Sequence, residues 1–226
     1  MIIVVGGIKG GSGKSTVATN LAVMCATAGQ DVLLIDSDDQ ETASDFTILR
    51  NESQTEKPSY TCIKLTGAAV RTETLRLSTK YETIIIDTGG RDTTSQRAAL
   101  SVANVLLVPF VPRSFDVWTL EKVGALVTEI KTINPDLTAY TFINRADPKG
   151  QDNDDAAEVL KETGALTFID AKLGMRKSFS NAAATGQGVT ELKPSDTKAI
   201  AEMATLFQCV FNVILTLDNE GGCDGN

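Results

Sequence analysis

The sequence predicts an α/β fold: a doubly wound, mostly parallel sheet with helices on both faces. Three observations carry that expectation. Short apolar runs rich in branched residues recur at 2–5, 32–35, 83–86, 105–108 and 140–143. Near-continuous runs of this kind suit strands covered on both faces rather than one-sided hairpins. Stretches with helical spacing lie between them, and strands alternating with helices of this length build βαβ units. Finally, 42% of the 226 residues are hydrophobic but only 5% are aromatic, a composition that fills a core with aliphatic side chains.

Taken in order, the run at 2–5 leads into a glycine-rich loop, and a helix follows with Val17, Leu21, Met24, Cys25 and Ala28 at helical spacing. Gly29 is well placed to end that helix. The run at 32–35 is the second strand, 60–65 is a weaker strand candidate, and 83–86, 105–108 and 140–143 follow. Val117, Leu120, Val123, Val127 and Ile130 mark a helix opened by Ser114 as a possible cap. Another weak strand signal falls at 166–169, and 197–217 reads as a long apolar-rich helix. No repeat and no Pro, Gly or Ser-rich linker splits the chain, so residues 1–217 are expected to form one domain and 218–226 a flexible acidic tail.

The loop after the first strand reads Gly6-Gly7-Ile8-Lys9-Gly10-Gly11-Ser12-Gly13-Lys14-Ser15-Thr16. Strand, glycine-rich loop and helix start make a phosphate cradle, the P-loop of nucleotide triphosphatases. Glycines let backbone amides converge on phosphate oxygens, and the helix start adds free N–H groups and a positive dipole end. Lys9, Gly10, Gly11, Ser12, Gly13, Lys14, Ser15 and Thr16 are therefore expected to bind nucleotide. Lys14 reaches the outer phosphates and the Ser15 hydroxyl serves Mg²⁺. The strict pattern wants glycine where Ile8 stands, and the chain instead carries a second lysine, Lys9, five residues before Lys14.

Two of the apolar runs end in aspartate, Asp36 and Asp87. Ligands of open α/β sheets sit at the carboxyl ends of the strands, and a carboxylate held rigidly there suits a Mg²⁺ site. Either aspartate alone is also an ordinary helix or turn cap. With a phosphate loop upstream, Asp87 is assigned to the metal and Asp36 to the attacking water, because no histidine exists to orient it.

Other chemistries are excluded by composition. Cysteines stand at 25, 62, 209 and 223 with no Cys-x-x-Cys pair, and histidine is absent, which argues against a zinc centre. No cysteine lies between Cys62 and Cys209, so the middle of the chain cannot supply an iron–sulfur cluster. No run of 18 apolar residues occurs, and the start lacks the basic leader of a secretory signal. The net charge of −8 gives no overall field for nucleic acid.

Lys9-Gly10-Gly11-Ser12-Gly13-Lys14-Ser15 resembles the deviant Walker A motif of the ParA/MinD family of partition and positioning ATPases, most closely its small plasmid-partition members. Asp36-Ser37-Asp38-Asp39-Gln40 resembles the family's Asp-x-Asp-Pro-Gln segment, with Asp39 in place of proline. Gly89-Gly90-Arg91 replaces the commoner Pro-Pro after the second aspartate. Weaker similarities lie in the Pro109 to Pro112 segment, in Phe142-Ile143-Asn144-Arg145 and in Gly186-Gln187-Gly188-Val189-Thr190-Glu191. The resemblance implies ATP and Mg²⁺ as ligands, catalytic roles for Lys9, Lys14 and Asp36, and an adenine pocket lined by Asn144 and Pro109. It also implies an ATP-dependent homodimer in which Lys9 reaches the partner's phosphates. Nonspecific DNA would bind that dimer, and a separate centromere-binding, ParB-like protein would stimulate hydrolysis. Since the first strand opens at residue 2, no preceding DNA-binding domain is expected.

The resemblance points to Arg176 and Lys177 as DNA contacts, with Lys172, Lys193 and Lys198 nearby, although scattered lysines are as readily plain solvated surface. The MinD-like alternative needs a basic amphipathic C-terminal helix on a membrane. Here nothing after Lys198 is basic, while Glu202, Asp218, Glu220 and Asp224 are acidic, so no membrane attachment is expected. The expected location is cytoplasmic and nucleoid-associated. The alternative is a positioning or scaffold ATPase acting on a non-DNA surface.

Overall fold

The computed structural model describes residues 1–112, 117–148 and 151–220; the cap expected at Ser114 and the tail beyond 220 lie outside them. Strands β1 (Ile2–Val5), β2 (Val32–Ser37), β4 (Thr83–Thr88), β5 (Val105–Phe110) and β6 (Thr138–Ala146) form where the apolar runs are. With β3 (Thr61–Lys64) and β7 (Thr167–Phe168) they make one sheet in the order β3-β2-β4-β1-β5-β6-β7, and β8 (Leu173–Gly174) adds to β6. Every pairing is parallel. The weak candidates at 60–65 and 166–169 become β3 and the two-residue β7, at opposite edges of the sheet order. Neither has two neighbours to demand a long apolar run, which is why their signals are faint.

The helices are α1 (Lys14–Thr27), α2 (Thr42–Ser53), α3 (Ala69–Leu77), α4 (Thr94–Leu100), α5 (Val117–Ile130), α6 (Asp152–Glu162), α7 (Lys177–Ala183) and α8 (Thr197–Glu220). Side chains alternate across a strand, and the sheet has two cores accordingly. Ile3, Val5, Leu34, Ile85 and Leu107 pack beneath α1, α2 and α8. Ile2, Val4, Leu33, Ile35, Ile84, Ile86 and Leu106 pack beneath α3, α4, α5 and α6. The fold is the doubly wound α/β sheet of P-loop nucleoside triphosphatases. Helix α1 ends at Thr27, and Gly29, with φ of 84°, carries the chain out while Gln30 N–H donates to the Cys25 carbonyl.

Helix α8 continues to Glu220, three residues past the boundary expected at 217. Neither glycine nor proline occurs between Thr197 and Gly221 to stop it. Among the described residues, no helix is long and apolar enough to cross a membrane.

Candidate nucleotide site

The strand order reverses at β1: the chain first moves through β2 to β3, then returns with β4 on one side of β1 and β5 on the other. A crevice opens at the carboxyl ends of strands at such a point, and the P-loop fills it. A cavity of about 650 Å³ lies over the loop, bordered by Gly10, Gly13, Lys14, Ser15, Thr16 and Asp38 among others. Ile8 is not among its walls; it packs against the core under α5. The loop therefore tolerates isoleucine where the strict motif has glycine, because that side chain points away from the phosphates.

Lys14 is 5% exposed, and its ammonium donates to the Lys9 carbonyl at 3.0 Å. Burial lowers its pKa, while the carboxylates of Asp87 and Asp38 act in the opposite direction. An ammonium folded onto its own loop is poised to exchange that carbonyl for phosphate oxygens. Gly13 has φ of 88°, and a Cβ there would lie 2.4 Å from Asn144 Nδ2, so any larger residue would be strained and would displace that amide. Asn144 donates from Nδ2 to the Ser12 carbonyl at 2.6 Å, so the end of β6 braces the loop. Gly90 lies against the loop's other side, where a Cβ would stand 2.6 Å from Gly10 N. The Gly89-Gly90 pair thus lets the segment after β4 touch the P-loop backbone to backbone, which the commoner prolines would not.

Asp36 and Asp87 are register partners on β2 and β4, and both are fully buried. Their surroundings differ. Asp36 Oδ1 accepts from Asp38 N–H at 3.1 Å and Oδ2 from Ser44 N–H at 2.7 Å, so both oxygens organise the turn into α2. Among the described residues no donor meets hydrogen-bond geometry at either oxygen of Asp87, although the Ser15 hydroxyl lies near enough to act on it. Burial, with Asp36 and Asp38 nearby, pushes its carboxyl up to about 7 against the opposing pull of Ser15 and Lys14. An orphaned buried carboxylate beside a phosphate loop fits a hard cation, which prefers oxygen ligands and shares them with substrate phosphates. Among the described residues no group of three or more acidic, cysteine or histidine side chains could hold a metal ion.

One expected role is met by a second carboxylate of the same segment as well as by the first. Asp36 was expected at the attacking water, but it does not border the phosphate cavity and both its oxygens are occupied by backbone amides. Asp38 and Asp39 border it instead, and the Asp38 carboxylate lies beside Gly89, with Oδ1 accepting from Gln40 N–H at 3.2 Å. Strand β2 runs on through Ser37, so the strand-end rule marks Asp36 while Asp38 stands just beyond the strand.

The two expected adenine contacts do not meet in one cavity. Asn144 borders a cavity of about 690 Å³ with Val17, Phe179 and Met203. Pro109 lies within β5 rather than after it, and borders a smaller cavity of about 160 Å³ with Lys9 and Leu120. Of the expected DNA contacts, Lys177 is exposed, but Arg176 is not a free cation. Its guanidinium donates to both oxygens of Glu202 on α8, at 2.9 and 2.5 Å, and its side chain is 28% exposed. It is a strut between α7 and α8.

A second bracing network passed unseen in the sequence. Arg50 of α2, 2% exposed, donates to both Glu191 oxygens at 2.7 and 3.0 Å, and to the carbonyls of Gly186 and Pro58. Asn20 of α1 accepts from Val189 N–H and donates to the Thr16 carbonyl. The Gly186 to Glu191 segment therefore ties the P-loop helix to the helix that follows Asp36. Glu191 stood in a recognisable motif, but a buried arginine partner 141 residues away has no local signal. Removing one member of a buried pair strands the other, so Arg50→Ala is expected to lower unfolding stability by about 3–5 kcal/mol, read from the denaturant midpoint. Burial raises the Glu191 carboxyl, yet Arg50 and the Gly188 N–H outweigh this and hold it below its ordinary 4.5. A depressed folded pKa means that the pair's contribution is complete above the unfolded value and fades as pH falls below it. The gap between wild type and Arg50→Ala is therefore expected to narrow in acid.

Residues 3–189 match the CobQ/CobB/MinD/ParA nucleotide binding domain, and the chain belongs to that family. No curated protein sequence matches it closely enough to count as a relative. Among solved structures it is similar to a plasmid partition protein of Borrelia burgdorferi B31 bound to AMPPNP, at 20% identity and a TM-score of 0.75, with 93% of this chain and 98% of that one covered. An ATP complex of a Cyanothece McdA variant matches at 16% identity and 0.77, covering 93% and 96%. The Pyrococcus furiosus cell division ATPase MinD matches at 18% identity and 0.71, covering 94% and 98%. At these identities the likeness speaks for the shared fold.

Proposed function

We propose that this protein is a Mg²⁺-dependent ATPase of the partition type, which dimerises on ATP and binds DNA without sequence preference in that form. A centromere-binding partner would raise its turnover. The observation that carries the reading is the pairing of a two-lysine phosphate loop with a buried carboxylate, Asp87, close enough to Lys14 and Ser15 of that loop to feel both. Ser15 and Asp87 would hold Mg²⁺, which when bound neutralises charge on the outer phosphates. Lys14 leaves the Lys9 carbonyl for the phosphates. Asp38, at the cavity wall, orients the attacking water and accepts its proton. Lys9, which borders the smaller cavity, would reach a second subunit. The base occupies the cavity bordered by Val17, Asn144 and Phe179, which joins the phosphate cavity across Gly13 and Thr16.

A positioning role on a non-DNA surface is the second reading, favoured by the ion pair that occupies Arg176. The two are separated by gel retardation of a nonspecific duplex without nucleotide, with ADP and with ATP. Retardation only with ATP, weakening steeply with salt, supports partition through the nucleoid. No retardation in any state, with ATP still bound, favours the second reading.

A further inference from the structure

Arg145 stands out on four independent counts. It adopts φ of 54°, one of two residues other than glycine with positive φ among those described. It is the unpaired residue of a β-bulge, since Asn144 and Ala146 of β6 face the consecutive residues Leu173 and Gly174 of β8. Its side chain borders all three cavities around the P-loop, and Nε lies 4.0 Å from where a Cβ on Gly13 would stand. It is exposed, and no hydrogen bond or ion pair holds it among the described residues.

Each count has a physical meaning. Left-handed backbone suits glycine or asparagine, and an arginine kept there is strain maintained by its surroundings. Bulges re-aim a side chain and gather near active sites. Here the bulge turns Arg145 toward the loop that Asn144 already braces. The base-side and phosphate cavities share Gly13, Thr16 and Arg145, so a ligand occupying both must cross beneath this guanidinium. A planar, permanently charged fork is the side chain best matched to a phosphate oxygen pair.

We propose that Arg145 binds the nucleotide at the junction of its sugar and phosphates, gripping the α-phosphate from the β6 side, across the cavity from Lys14. This rests on the nucleotide-binding reading above. The test is titration of the full chain with a fluorescent ADP analogue, for wild type, Arg145→Gly and Arg145→Asn, with the thermal midpoint of each nucleotide-free protein measured alongside. Glycine and asparagine both accept the left-handed backbone, so either variant keeps the bulge. The expected result is an affinity loss of about tenfold or more, with the nucleotide-free midpoint of Arg145→Gly equal to or above that of wild type. Should Arg145→Gly fold poorly, Arg145→Asn decides on the same criterion. Affinities within about twofold of wild type, in a variant whose midpoint is kept, would overturn the proposal and leave the nucleotide reading intact. Failure of wild type itself to bind the analogue would remove both.

Discussion

Asp38→Ala is expected to bind ATP and scarcely turn it over. A positioned acid–base group contributes about 10²- to 10⁴-fold, and Asp38 borders the phosphate cavity beside Gly89, with Oδ1 accepting from Gln40 N–H. The variant should keep wild-type ATP affinity, because Asp38 does not touch the loop's own hydrogen bonds. Asp36→Ala should behave differently. It removes the acceptor for two amides that shape the start of α2, a loss of about 1–3 kcal/mol per stranded buried group. Its signature is a lowered unfolding midpoint together with reduced turnover. Phosphate release by both variants, with the thermal midpoint measured alongside, separates the roles. Full turnover in Asp38→Ala would return the water-orienting assignment to Asp36.

Lys14→Ala is expected to abolish measurable nucleotide binding. The ammonium is almost wholly buried and, among the described residues, donates to the Lys9 carbonyl at 3.0 Å, so its interaction with phosphate would replace one neutral acceptor by a charged one. Hydrogen bonds to charged groups contribute about 1.5–3 kcal/mol each, and Lys14 would make more than one. A loss of at least about 100-fold follows. Calorimetric titration with ADP reads it directly. The fold should survive, since alanine favours the helix that begins at this position.

How much of this was legible in the sequence depends on how local each signal is. The five central strands announce themselves because each is buried on both faces along most of its length and so carries an apolar run. The P-loop is legible because its requirement, glycines and a lysine at a helix start, is met within eleven residues. Asp87 is legible as the end of an apolar run. What was hidden depends on contacts between distant segments. The Arg50–Glu191 pair and the Asn20 clamp join residues far apart in the chain. The bulge that turns Arg145 exists only because β8, a two-residue strand with no pattern of its own, pairs with β6. Asp36 was legible as the end of an apolar run, but such a pattern marks where a strand is and not how far its pairing continues, so Asp38 beyond it gave no signal. Helices α2, α3, α4, α6 and α7 are short or carry few apolar residues, and they are held by the sheet rather than by their own periodicity.

The most direct test of an ATP-switched pair of subunits is the solution mass of the protein, by light scattering after gel filtration, with ADP and with a slowly hydrolysed ATP analogue, for wild type and Lys9→Ala. The expected result is the 24.0 kDa chain alone with ADP and twice that mass with the analogue, the doubling lost in Lys9→Ala while the analogue still binds. A wild-type protein that binds the analogue and stays at the mass of one chain would contradict it.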